Sequence, residues 1–265
     1  MKIWLITGTS RGLGLEIARQ ALAAGDAVVA TARNPERVAA ALEGHGPRLL
    51  ALPLDVTDEH QAQHVAAAAV DRFGRIDVLV NNAGRGLFGA VEETTPEEAR
   101  AVFDTNVFAV LLVTRAVLPV MRRRRAGHLL AISSMGGFSA GARFGAYAAS
   151  KFALEALHEA MHEELTPFGI KVTIVEPGVL ATGFATAGSG QVAHPIDDYA
   201  STLPTYGGEE DDDPAVDPAA AAAAIRTVTE LADPPLRLPI GRDAIARMRA
   251  KLAHVAADLD AAGGS

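Results

Sequence analysis

The 265-residue sequence predicts an α/β fold, a doubly wound parallel sheet with helices on both faces. Three observations carry this. Short apolar runs alternate with helical patterns from residue 3 to about residue 176, the regularity expected of a parallel sheet. The first apolar run passes through a glycine-rich turn straight into an amphipathic helix. No internal repeat or linker interrupts the chain before residue 180, so a single domain is expected.

Taken in order, Ile3 to Thr7 reads as a fully buried strand. Gly8, Gly12 and Gly14 follow, then a helix stopped by Gly25. Strand, glycine turn and helix N-terminus together make an anion seat, because backbone N–H groups can approach a phosphate there and the helix dipole favours negative charge. Ala27 to Thr31 is the second strand, and its tip, Ala32-Arg33-Asn34-Pro35, carries no acid. In dinucleotide folds an acid at that tip binds the 2′-hydroxyl of NAD, whereas an arginine accommodates the 2′-phosphate of NADP. Arg33, with Arg11 nearby in the glycine loop, therefore predicts NADP(H).

Leu49 to Leu54 is the third strand, and Thr57 or Asp58 caps the helix that follows to about Phe73. Ile76 to Val80 is the fourth, ending in Asn81-Asn82-Ala83-Gly84. Thr95 is the expected N-cap, and Pro96 the first residue, of a helix that continues through Asn106 to Met121. Leu129 to Ser133 and Val172 to Glu176 are the fifth and sixth strands. Beyond Pro177-Gly178, residues 181–214 read as a substrate lid with a short helix, because loops this long in a compact domain are usually functional. The acidic run Glu209 to Asp213 reads as a solvated turn. A helix from Pro218 to Ala232, a strand from Leu236 to Ile240, a helix from Arg242 to Asp260 and a fraying tail, 261–265, complete the chain.

Bulk properties narrow the function. A net charge of −8 argues against nucleic acid as the main partner. The absence of cysteine excludes disulfides and thiolate metal sites, and it fits a reducing compartment. No uncharged apolar run reaches the ~18 residues of a membrane span, since Arg115 and Pro119 interrupt the stretch Val107 to Val120. A soluble, cytoplasmic protein is expected.

Tyr147 and Lys151 are four residues apart in a strongly helix-forming run and so share one helix face. A lysine cation one turn from a phenol favours the phenolate and tunes the tyrosine for proton transfer near neutral pH. Ser134 closes an apolar strand, where open α/β sheets keep their ligands.

The motifs Thr7-Gly8-x-x-x-Gly12-x-Gly14, Asn81-Asn82-Ala83-Gly84, Asn106, Ser134, Tyr147-x-x-x-Lys151 and Pro177-Gly178 occur together and in order. Over residues 1–182 the chain resembles the short-chain dehydrogenase/reductase family, in its branch of about 250 residues. The resemblance implies a Rossmann sheet of seven strands, a homodimer or homotetramer, and hydride exchange between NADP(H) and a ketone or secondary alcohol. Tyr147 would be the acid/base, Lys151 would hold the nicotinamide ribose, Ser134 the substrate oxygen and Asn106 a relay water. Gly8, Ser10, Arg11, Gly12, Leu13 and Gly14 would line the pyrophosphate and adenosine side, Arg33 the 2′-phosphate, and Asp55 and Val56 the adenine. Asn82, Ala83 and Gly84 would approach the adenosine and ribose, with Asn81 bracing the sheet. Pro177, Gly178, Val179 and Thr182 would flank the nicotinamide.

Phe88, Phe138, Phe144, Phe184 and Tyr199 suggest an apolar substrate pocket, and no metal is expected. Two rival readings compete. His158-Glu-Ala-Met-His162 matches a zinc-hydrolase pattern, but no third ligand accompanies it. A non-catalytic NADP-binding sensor would keep the fold without the chemistry, and the intact Ser134, Tyr147 and Lys151 set counts against it. Arg122 to Arg125 reads as a solvated helix end.

Overall fold

Strand runs of almost unbroken apolar character form here because both faces of the sheet are covered. Residues 1–184, 188–200 and 215–263 are described by a computed structural model. The central sheet comprises β1 (Ile3–Thr7), β2 (Ala27–Ala32), β3 (Leu49–Pro53), β4 (Val78–Asn81), β6 (Gly127–Ile132), β7 (Ile170–Pro177) and β9 (Arg237–Ile240). These seven strands are parallel, in the order β3-β2-β1-β4-β6-β7-β9. The chain winds outward from β1 through β2 to β3, then restarts at β4 on the other side. That reversal opens a crevice above the C-terminal ends of β1 and β4.

Alternation along each strand feeds two cores. Trp4, Ile6, Val28 and Ala30 face α1 (Gly12–Ala23) and α9 (Pro218–Val228), where Ile17, Ala221 and Ile225 are buried. Leu5, Val29 and Leu79 face α3 (Glu59–Phe73), α5 (Ala109–Arg124) and α7 (Gly145–Leu165), meeting Val65, Val117 and Met161. Asp58 is the cap of α3, accepting from Gln61 N at 3.1 Å. Thr95 and Glu98 form a reciprocal capping box at α4 (Pro96–Phe103), with Pro96 in the first turn.

The long helix predicted after Thr95 is interrupted by a π turn, Asp104–Phe108, before α5 begins. The whole helical stretch, Pro96–Arg124, is long and apolar enough to cross a membrane. One face of it packs on the domain, where Val102, Val107, Val110, Val113 and Val117 are buried. The helix end at Arg122–Arg125 is exposed, as expected, and two of its arginines also make contacts. Arg124 pairs with Asp77 at 2.9 Å, and Arg125 lies over the Phe168 ring and donates to Pro167 O.

A two-stranded parallel ribbon that the sequence did not suggest joins β5 (Gly86–Phe88) to β8 (Ser189–Gln191). It fastens the start of the expected lid to the loop after β4. Carboxylates hold the next stretch: Glu98 accepts from Ala193 N at 2.8 Å and Glu93 from Ile196 N at 2.7 Å. These backbone donors hold both carboxyls below the usual carboxylate range. The lid's described part also contains a one-turn helix, α8 (Asp197–Ala200). Tyr206, the run Glu209 to Asp213 and the last two residues lie outside the described residues. The α9 helix stops at Val228, four residues before the expected end, where Thr229 Oγ1 turns back onto Arg226 O. The last helix, α10 (Arg242–Gly263), is longer than expected.

Candidate active site

The glycine loop sits against the turn after β4. Thr7 Oγ1 accepts from Asn82 N at 3.0 Å and from Ala83 N at 2.9 Å. Asn82 Nδ2 returns two bonds, to Thr7 O at 2.8 Å and Gly8 O at 3.1 Å. This clamp requires glycine at position 14: a Cβ there would lie 2.3 Å from Asn82 Nδ2 and 2.6 Å from Gly8 O. The N-cap residue, Arg11, makes no side-chain capping bond to the first turn of α1, so that turn keeps the character of an anion seat. Leu13 turns its side chain into the first core, so only its backbone can line that seat. Asn81 is buried and donates to Thr114 Oγ1 at 3.1 Å, tying β4 to α5.

The other expected cofactor residues lie along the same C-terminal edge of the sheet. Arg33 is exposed just past β2. Asp55 follows β3, with its carboxyl held low mainly by Thr57, whose hydroxyl donates at 2.7 Å, and to a lesser degree by the Arg33 charge. Val56 packs on the edge of the second core. Beyond β7, Gly178 N bonds Ile240 O at 2.8 Å and Val179 N bonds Asp243 Oδ2 at 2.7 Å. The chain then crosses to the glycine loop, and Thr182 comes within 3.6 Å of a Cβ built on Gly12. These features fit a bound dinucleotide: an uncapped helix end, a cradle closed to side chains, and a basic group at the β2 tip.

The reactive groups gather at the end of β4 and β6. Tyr147 and Lys151 are both buried on one face of α7. Lys151 Nζ lies 5.8 Å from the Tyr147 ring centre and donates to Ile132 O at 2.8 Å. Burial lowers the Lys151 pKa to about 8, against a smaller opposing pull from Glu155. A Cβ built on Gly84 would lie 3.3 Å from Asn106 Oδ1 and 3.6 Å from Lys151 Nζ, so these two groups converge on one point.

Asn106 sits in the π turn, fully buried. Its Nδ2 donates to Arg85 O and to Ser150 Oγ, each at 2.9 Å, while Oδ1 accepts from Arg85 N at 2.9 Å. Both amide protons are therefore engaged, and one acceptor site remains on Oδ1. Ser150 Oγ passes the link on to Tyr147 O at 2.6 Å. Ser150 received no role from the sequence, although it stands inside the Tyr147-to-Lys151 motif.

Ser134 follows β6 and caps α6 (Met135–Phe138), accepting from Gly136 N at 3.0 Å. It stays half-exposed. Ser133 is buried and donates to Glu155 Oε1 at 2.6 Å. Of the two hydroxyls, Ser134 is the more accessible. Behind it, Arg237 joins Glu155, Glu159 and Glu176. Burial, followed by Glu155, pushes the Glu176 carboxyl up to about 7, with Arg237 opposing.

Phe88, Phe144 and Phe184 form an apolar wall beside Tyr147, with ring centres 4.3 Å (Phe88–Phe144), 5.0 Å (Phe144–Tyr147) and 5.8 Å (Tyr147–Phe184) apart. The other two expected pocket aromatics lie elsewhere. Phe138 packs beneath Arg237 and Lys251, because α6 folds back onto α10. Tyr199 hydrogen-bonds Glu92 on the exposed side of the lid.

His158 is buried, and its Nδ1 donates to Leu154 O at 2.8 Å. Burial lowers its pKa to about 4. Among the described residues, no group of three metal-ligating side chains forms around His158 and His162 or anywhere else.

A model of the short-chain dehydrogenases matches residues 2–191. The oxidoreductase BOA17 of Botryotinia fuckeliana is 37% identical over 248 residues, covering 92% of this chain and 90% of that protein. A short-chain dehydrogenase from Streptomyces avermitilis superposes with a TM-score of 0.89 at 43% identity, covering 98% of this chain and 96% of its own. The alcohol dehydrogenase of Thermococcus sibiricus, solved with 5-hydroxy-NADP, gives 0.76 at 26% identity, covering 91% and 96%.

Proposed function

The chain belongs to the short-chain dehydrogenase/reductase family, oxidoreductases of CH–OH and C=O groups, and on that premise we propose an NADP(H)-dependent carbonyl reductase with Tyr147 as its acid/base. The observation that carries the reading is the meeting of Asn106 Oδ1 and Lys151 Nζ at Gly84, one helical turn from Tyr147 and next to the glycine loop. Burying such polar groups is costly unless they are hydrogen-bonded, and here Lys151 bonds Ile132 O while Asn106 bonds Arg85 and Ser150.

Bound in the crevice, NADPH would supply the hydride. The glycine loop and the first turn of α1 hold its phosphates, and Arg33 its 2′-phosphate. Ser134 orients the substrate oxygen, and Tyr147 gives that oxygen its proton. The Lys151 cation stabilises the phenolate left behind. With a pKa of about 8, Lys151 is mostly charged at neutral pH. Asn106 and Ser150 hold the Tyr147 turn in place, and the spare acceptor site on Oδ1 can orient a water for reprotonation. Phe88, Phe144 and Phe184 select an apolar substrate and exclude solvent from the reacting atoms.

The experiment is a panel of ketones and secondary alcohols assayed with NADP(H) and NAD(H). NADPH-dependent reduction of apolar ketones is the expected result. Cofactor binding with no turnover across the panel would overturn the reading and favour a sensor.

A further inference from the structure

The α10 helix carries an apolar seam that the catalytic reading does not use. Ile245, Met248, Leu252, Val255 and Leu259 follow one another at alternating spacings of three and four, the pattern of a two-helix seam. The base of the helix is anchored to its own domain. Ala244 and Met248 are buried there, and Arg247 donates to Ser139 O at 3.1 Å and Ala140 O at 2.8 Å. Lys251 lies over Phe152, 4.5 Å from its ring centre.

Past Lys251 the helix leaves the domain. Every residue from Leu252 to Gly263 is exposed, a length of roughly 18 Å at about 1.5 Å per residue. Leu252 is 57% exposed, Val255 40% and Leu259 66%, and the seam continues at the base through Ile245, at 37%. Single exposed apolar residues need no explanation, but a continuous stripe on a protruding helix does.

We propose that this stripe pairs, antiparallel and about a two-fold axis, with α10 of a second copy of the chain. Charge selects the partner. The first half of the helix is basic, with Arg242, Arg247, Arg249, Lys251 and His254; Asp243, its acid, is engaged with Val179 N. The second half carries Asp258 and Asp260 and no base. An antiparallel pair sets the basic half of each helix against the acidic half of the other. A parallel pair would set like against like.

The seam fixes the register. Leu252 faces the partner's Val255, and Leu259 reaches toward the exposed Ile245 at the base of the partner's helix. Lys251 then flanks the partner's Asp258, and two-fold symmetry repeats the contact. Among the described residues of one copy, the ion pair of Asp258 is with His254, at 3.5 Å and highly exposed. Ala250, Ala253, Ala256 and Ala257 keep the helices thin, which favours close approach. A membrane surface fits less well, because acids beside Leu259 would be repelled by anionic headgroups.

The test uses the full chain and sedimentation velocity with light scattering, at micromolar concentrations. Leu252→Glu with Leu259→Glu should lower the mass of the particle, to half where this seam alone joins the two copies. Both positions are exposed, so circular dichroism should be unchanged. Lys251→Glu alone and Asp258→Lys alone should each weaken association by about tenfold, by replacing attraction with repulsion. Mixing these two variants should restore it, since each then meets its complement. A wild-type particle of 27.5 kDa, a mass unchanged in the double variant, or no recovery on mixing would overturn the proposal. So would seam-dependent binding to phosphatidylserine vesicles without any change of mass.

Discussion

Replacing Gly14 with alanine tests the cradle through a single methyl group. The added carbon would lie 2.3 Å from Asn82 Nδ2 and 2.6 Å from Gly8 O, and the second atom is backbone that cannot swing away. Overpacking of this kind costs about 1–3 kcal/mol. Displacing Asn82 also threatens its bonds to Thr7 O and Gly8 O, worth about 0.5–1.5 kcal/mol each. Against this, alanine is better than glycine in a helix by about 1 kcal/mol. The net expectation is a loss of about 1–5 kcal/mol, or a fall in Tm of roughly 3–15 °C at about 3 °C per kcal/mol. Because Asn82 also seats Ala83, NADPH affinity measured by fluorescence titration should fall at least about tenfold, equivalent to 1.4 kcal/mol. Gly25→Ala is the control. Nothing lies within 4 Å of its Cβ, but its φ of +90° is strained for alanine, so it should lose about 1–2 kcal/mol with NADPH affinity unchanged. A Gly14→Ala variant as stable as wild type and equally tight for NADPH would refute the reasoning.

Three further outcomes follow from the same geometry. Arg33→Glu should reverse the cofactor preference, raising KM for NADPH and not for NADH; an unchanged ratio of kcat/KM would remove Arg33 from the site. Glu93→Gln places an amide against the Ile196 and Ala90 N–H donors, so the lid should loosen and substrate KM rise with NADPH binding unaffected; equal KM values would show that this fastening is irrelevant to catalysis. His158 stays neutral in the fold until about pH 4, whereas an unfolded histidine takes a proton at about 6.5. The unfolded state therefore binds more protons between those values, and stability drops as pH falls through that window, by about 2 kcal/mol between pH 7 and pH 5. Urea unfolding at the two pH values should show a smaller drop in His158→Leu; an identical drop would contradict this, and stoichiometric zinc in purified wild type would revive a metal role.

Local chemistry made much of the fold legible. Apolar runs bounded by glycine or proline, the Asp58 and Thr95 caps, and the spacing from Tyr147 to Lys151 all depend on residues close together in the chain. The engagement of Ser133 by Glu155, which leaves Ser134 the more accessible hydroxyl, was not legible, because the two residues are 22 apart in the chain. What stayed hidden depends on groups far apart in sequence. Asp243 braces the turn at Val179 from 64 residues away, and Glu93 holds Ile196 from 103. A carboxylate bound to a backbone N–H leaves no mark on the sequence of the segment it holds. Phe138 and Tyr199 were misassigned to the pocket for a related reason: an aromatic residue is apolar wherever it packs, and only the path of α6 and the pairing with Glu92 decide where. His158 matched a metal motif because two histidines one turn apart say nothing of burial, and here burial makes one of them a packing residue.

The most direct measurement is the turnover of Tyr147→Phe with NADPH and a ketone accepted by the wild type, beside its NADPH dissociation constant. Removing the proton donor should slow reduction by about 100- to 10,000-fold, with the dissociation constant within about twofold of wild type, a difference of less than 1 kcal/mol. Near-normal turnover in that variant would contradict the assignment of the proton to Tyr147.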